Sequence, residues 1–214
     1  MGTLCRLFSS SIGRKAVVAV AGLLLCGFLV THLAGNLLLF VSEGSFNNYA
    51  KTLETNPLLP LAELGLAALF LAHIAVAVKL RWENRQARPA RYEEVKSKGG
   101  RSVGSRTMSL TALLVFAFII VHIRTFKFGP HEESGLYRLV MDSFRNPLYS
   151  GFYVAAMIAL MLHLSHGIQS GFQTLGLNHP RYTPLIRKAG MGFAFLVCAG
   201  FALIPIWAFL GGPR

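Results

Sequence analysis

Charge is what this chain has least of. Only 14% of its 214 residues are Asp, Glu, Lys or Arg, where a water-soluble domain carries about 25%. Acid is scarcest, with nine Asp and Glu against 21 Lys and Arg. Cysteine is nearly absent: Cys5, Cys26 and Cys198 stand too far apart for a zinc site or a disulfide framework. No C-x-x-C-H run is present to attach a haem covalently. There is no dinucleotide fingerprint, no ferredoxin-type cysteine run, no internal repeat and no low-complexity segment. These absences exclude a secreted disulfide scaffold, a disordered chain and an ordinary soluble enzyme.

What is abundant is apolar sequence, 53% of the residues, with a mean hydropathy of +0.51. It is gathered into five runs, about 16–41, 58–80, 107–126, 148–173 and 189–210, each near the roughly 20 residues that cross a hydrocarbon core. Backbone groups in lipid must be satisfied within the segment, so the runs are helices, and they lack the alternation of a barrel strand. The expected fold is all-α, one integral membrane domain over residues 1–214 with five transmembrane helices. The first run is too long for the apolar region of a signal peptide and is expected to be retained. Little chain remains for a separate catalytic domain. Between the runs, Ser42–Pro57 reads as loop plus a short helix. Residues 127–147 carry Leu136, Val140 and Phe144 at helical spacing, an amphipathic helix lying on the membrane interface. Ser97–Ser105 reads as flexible linker.

A net charge of +12 invites a nucleic-acid reading, but the cations sit in alternate connections between apolar runs. Arg6, Arg14 and Lys15, nine between Lys79 and Arg106, and Arg181, Arg187 and Lys188 make fifteen on one side, against six on the other. The side rich in Lys and Arg is cytoplasmic. The N-terminus is therefore expected inside and the C-terminus outside, in a multi-pass protein of a bacterial cytoplasmic membrane with no nucleic-acid partner. The basic Lys79–Arg106 connection touches anionic lipid, and offers a docking surface for a cytoplasmic protein.

Ionisable groups within spans are costly and mark function. Of seven histidines, His131 and His179 lie in connections and read as solvated. The other five lie in spans: His32, His73, His122, His163 and His166. A lone buried histidine is usually a packing residue; one on each of four consecutive spans is a different pattern. Neutral imidazole is a standard axial ligand for haem iron, and bundle interiors build such sites from facing helices. Depth selects the pairs. His32 and His122 fall in an outer layer, and His73 with His163 or His166 in an inner one. Two stacked bis-histidine sites suit two non-covalent b haems, while the three-residue spacing of His163 and His166 leaves the fourth ligand open. A histidine-based zinc or iron transporter is the rival, but its path would carry mid-membrane carboxylates; the acid nearest a span interior is Glu63, near the outer end of the second span. Gly22, Gly27 and Gly35 around His32, and Gly167 and Gly171 after His163, would let a macrocycle approach, or serve ordinary helix packing.

Several stretches resemble the dihaem cytochrome b anchor of succinate dehydrogenase and fumarate reductase. They are Ser10-Ser11-Ile12-Gly13-Arg14-Lys15, Thr31-His32-Leu33-Ala34-Gly35-Asn36-Leu37, Phe46-Asn47-Asn48-Tyr49, Glu63 with His73, Glu83-Asn84-Arg85 followed by Ala87-Arg88-Pro89 and Tyr92, and His163-Leu164-Ser165-His166-Gly167. The likeness runs over nearly the whole chain, and its weight lies in the order of four histidines. It implies a five-helix anchor carrying two b haems and a quinone site, bound on its cytoplasmic face to a flavoprotein and an iron–sulfur subunit, with room for pairing of two such heterotrimers. It implies His73 and His163 as axial ligands of the proximal haem, His32 and His122 of the distal one, and His166 beside a propionate or in packing. Menaquinone is the quinone by the same analogy. Quinone chemistry at the outer face needs a proton-exchanging group, for which Glu63 is best placed, with Glu43 and Glu54 as weaker alternatives. Met161 stands where some of these enzymes carry a glutamate. The cytochrome b anchor of a hydrogenase or formate dehydrogenase is a neighbouring alternative.

Overall fold

The computed structural model describes residues 10–87, 103–130 and 135–212, all of whose regular elements are helical. Five helices are long and apolar enough to cross a membrane. α1 spans Ser11–Asn36 and tightens into a 3₁₀ turn, Leu37–Phe40. α2, Glu43–Glu54, is short; α3 spans Leu59–Gln86 and α4 Val103–Phe126. α5, Gly135–Arg145, is short; α6 spans Pro147–Thr174 and α7 Thr183–Leu210. Local chemistry starts them: Ser10 Oγ accepts from Gly13 N at 3.0 Å, Ser42 Oγ from Ser45 N at 3.0 Å, and Asn146 Oδ1 from Leu148 N at 2.9 Å just before Pro147. Each satisfies a backbone N–H that the first turn leaves orphaned.

The spans outrun their apolar cores. α1 begins at Ser11 instead of 16, α3 continues to Gln86 instead of 80, α4 begins at Val103 instead of 107, and α7 at Thr183 instead of 189. Backbone hydrogen bonding needs no apolar side chain, so a helix continues into the interface beyond the residues hydropathy can count. Glu83 is consequently on a helix and not in a loop, and the end of the expected Ser97–Ser105 linker is the first turn of α4. The rest of that linker, His131, Cys5 and most of the basic connection lie outside the described residues.

Contacts between chain ends give the topology. Early α1 meets late α3 through Arg14 and Glu83, 2.7 Å apart. Late α4 meets early α6 through Thr125 and Tyr149. Late α6 meets early α7 where Gly190 packs on Ile168. Successive spans are thus antiparallel. α6 is the hub, packed on α7, α4 and α1, whereas α3 leans on α1 and has no buried residue. At the end opposite the N-terminus, α2 and α5 close the bundle. The Arg138 Nε–Glu43 Oε1 pair spans 3.1 Å, and Tyr137 N donates to Asn47 Oδ1 at 2.9 Å. Gly135, at φ +79°, enters this junction where a Cβ would meet the Asn47 amide at 2.6 Å; only glycine accepts both demands. The apolar face of α5 is not laid on lipid: Tyr137, Val140, Met141 and Phe144 are buried against Leu39, Tyr153, Ile204 and Ala208.

Candidate functional site

The span histidines gather at two depths. At the α2/α5 end, His32 on α1 and His122 on α4 set their rings 5.8 Å apart, edge to face. Phe28 stacks on His32 at 5.2 Å and Phe201 lies 5.6 Å from it; Phe118 and Phe126 flank His122 at 5.6 and 5.5 Å. An imidazole nitrogen sits about 2.0–2.1 Å from a bound zinc ion, and a like reach on both sides of an iron puts two ring centres roughly 6 Å apart. The observed 5.8 Å is close to that separation. Asn36 Nδ2 donates to the His32 carbonyl at 2.8 Å; its 3.5 Å separation from His32 Nδ1 is the looser contact.

Nearer the N-terminal end, His73 on α3 turns toward α1. Its Nδ1 lies 3.1 Å from the Val18 carbonyl. A carbonyl can only accept, so Nδ1 carries the proton and the Nε2 lone pair is left for a metal. The ring can lie there because Gly22 has no side chain: a Cβ would stand 3.1 Å from His73 Cε1. On α6, His163 is within electrostatic reach of both His73 and His166, and its buried Nδ1 finds no hydrogen-bond partner among the described residues. An unmatched polar atom of that kind is costly in a closed core and is understandable beside a prosthetic group. His166 sits differently, its Cβ facing Gly104 at the start of α4, where a glycine Cβ would lie 3.1 Å away.

Both pairs join helices that do not pack closely on each other: α1 with α4, and α3 with α6. The His32 and His122 rings meet although their helices do not pack on each other. Among the described residues no group of three or more His, Cys, Asp or Glu could hold a metal ion. Of the glycines, Gly27 and Gly167 face open space, while Gly35 is against Tyr49 and Gly171 against Ala19 and Leu23. Gly22 therefore serves His73, not His32, and Gly35 and Gly171 serve helix packing. His179, in a connection, is exposed and accepts from Arg181 N at 3.2 Å.

Glu63 is half-exposed near the start of α3, at the α2/α5 end of the bundle, and is ion-paired and hydrogen-bonded with Lys127, just past α4. Glu43 is engaged by Arg138. Sequence reasoning missed the hydroxyls beside the His32–His122 pair: Tyr153 Oη lies 3.4 Å from His122 Nδ1 and connects to Tyr149 and Thr125. Their signal was present, since Tyr149 and Tyr153 are four apart and His122 and Thr125 three apart, each pair on one helix face. No protein-family model matches the chain, and no curated protein and no solved structure matches it either.

Proposed function

We propose that the chain is the dihaem cytochrome b anchor of a succinate:quinone oxidoreductase in a bacterial cytoplasmic membrane, its N-terminus on the cytoplasmic side. One observation carries the reading: the His32 and His122 rings, from two spans that do not pack on each other, stand 5.8 Å apart, and His73 and His163 lie on two further spans nearer the N-terminal end. His32 and His122 would hold the distal haem, His73 and His163 the proximal one. Bound haem supplies a one-electron carrier at each depth.

The chain's own contribution is to present neutral imidazoles, exclude water and manage protons at the outer end. Val18 holds His73 with Nε2 bare, and Phe28, Phe118, Phe126 and Phe201 wall the outer pair. The Arg14–Glu83 clasp ties early α1 to late α3 beside the basic connection. That face suits an acidic, electron-delivering iron–sulfur subunit, itself fed by a flavoprotein that oxidises succinate. Quinone, menaquinone by analogy, would react near the outer end, where Glu63 can exchange a proton with water. Moving an electron between the two faces works against or with the membrane potential, about 2.3 kcal/mol per charge at 100 mV.

A visible spectrum of the purified full chain tests the haem reading. Two b-type haems per chain are expected, and a preparation lacking a Soret band overturns it in favour of a metal transporter. The soluble subunits that co-purify test the rest: a flavoprotein with an iron–sulfur protein and succinate-oxidising activity are expected. Hydrogenase or formate dehydrogenase subunits would move the chain to that neighbouring class.

A further inference from the structure

A run of hydroxyls leads from the outer end of the bundle to His122. Tyr149 Oη donates to Thr125 Oγ1 at 2.9 Å, the Tyr149 and Tyr153 hydroxyls are 3.0 Å apart, and Tyr153 Oη stands 3.4 Å from His122 Nδ1, the longest of the three links. Thr125 also lines an open cavity of about 420 Å³ with Arg124, Phe128 and Leu139.

Counting hydrogens gives its direction. A phenol has one hydrogen to donate. That of Tyr149 goes to Thr125, so Tyr153 must be the donor in the middle link. The Tyr153 hydrogen is then used, and only oxygen lone pairs remain to face His122. A bare Nδ1 would set lone pair against lone pair; a protonated Nδ1 sets donor against acceptor. We infer that Tyr153, oriented by Tyr149 and Thr125, is a positioning residue that holds His122 in its Nδ1–H tautomer and leaves the Nε2 lone pair free. Partners of this kind on the far nitrogen fix ring orientation and raise ligand basicity. The inner layer obtains the same tautomer from the Val18 carbonyl, an acceptor that cannot turn around. The outer layer uses a hydroxyl, which can be rewired. The inference rests on the dihaem reading for the identity of the metal.

The two links are expected to fail differently. In Tyr153→Phe the ring stays and the acceptor goes. The imidazole then gives less charge to a ferric centre, and one of the two midpoint potentials moves upward while the other stays. In Tyr149→Phe the Tyr153 hydrogen loses its acceptor and is free to turn toward Nδ1. That favours Nε2–H, which competes with ligation, so one haem is retained less tightly, by roughly 10–100-fold. The full chain, purified with its co-purifying subunits, is followed by optical redox titration, low-temperature EPR and haem content. A shifted potential and EPR signal for one haem in Tyr153→Phe, with weakened retention of that haem in Tyr149→Phe, is the expected result. Two unaltered potentials, unaltered EPR signals and full retention in both variants would overturn the positioning role and leave the dihaem reading intact. A parent protein without haem overturns the dihaem reading itself, and the inference with it.

Discussion

Replacing His32 or His122 by Ala is expected to remove one haem, and replacing His73 or His163 the other, because each would supply one of the two axial imidazoles of its haem. His166→Ala should keep both, since its Cβ is turned to Gly104 at the start of α4. Haem-to-protein ratios in the five variants check this; full haem in His163→Ala with loss in His166→Ala would reverse the assignment. Glu63 invites a separate test. Its pair with Lys127 is half-exposed, and exposed pairs are worth about 0–1 kcal/mol, so Glu63→Gln should barely move thermal stability. Quinone-linked turnover should nevertheless fall, while haem content and electron transfer from succinate to an artificial acceptor hold. Normal quinone turnover would remove Glu63 from the site.

Among the elements, α3 stands apart: it leans on α1 and buries no residue within the chain. His73 is therefore held by one helix face, at Val18 and Gly22. A larger residue at Gly22 would drive the ring off α1, because even a Cβ would stand 3.1 Å from His73 Cε1. Gly22→Val should lose the inner haem and spare the outer one, read by haem content and redox titration. Gly104 lies at a harder contact, its would-be Cβ 2.7 Å from the Leu162 carbonyl oxygen. Backbone cannot move aside as a side chain does, so Gly104→Leu must part α4 from α6. A loss of about 1–3 kcal/mol is expected, the range for overpacking a tight contact, seen as a lower unfolding temperature in detergent. The span boundaries belong to this scale as well. Hydropathy found five helices but ended them at the edge of the apolar stretch, whereas α3 runs on to Gln86 and carries Glu83 to its ion pair with Arg14.

At the scale of the molecule, antiparallel spans put early α1, late α3 and early α4 at one end, and α2 with α5 at the other. With the N-terminus cytoplasmic, protease added to sealed cells should leave the Lys79–Arg106 connection intact; cleavage there would invert the orientation and the docking face. The number of long apolar helices was legible from residue order alone, and so was the proximity of His32 to His122. A helix advances about 1.5 Å per residue, so position along a span is already depth in the membrane, and His32 with His122 could be layered before any contact was known. Position around the bundle axis is not linear in sequence. Which helices touch, and which leave a gap, depends on packing among all five spans. Packing therefore decided that Gly22 faces His73, that His166 backs onto Gly104, and that Glu63 meets Lys127. Packing also turned the apolar face of α5 onto the bundle end, and brought Tyr153, on α6, beside His122 on α4.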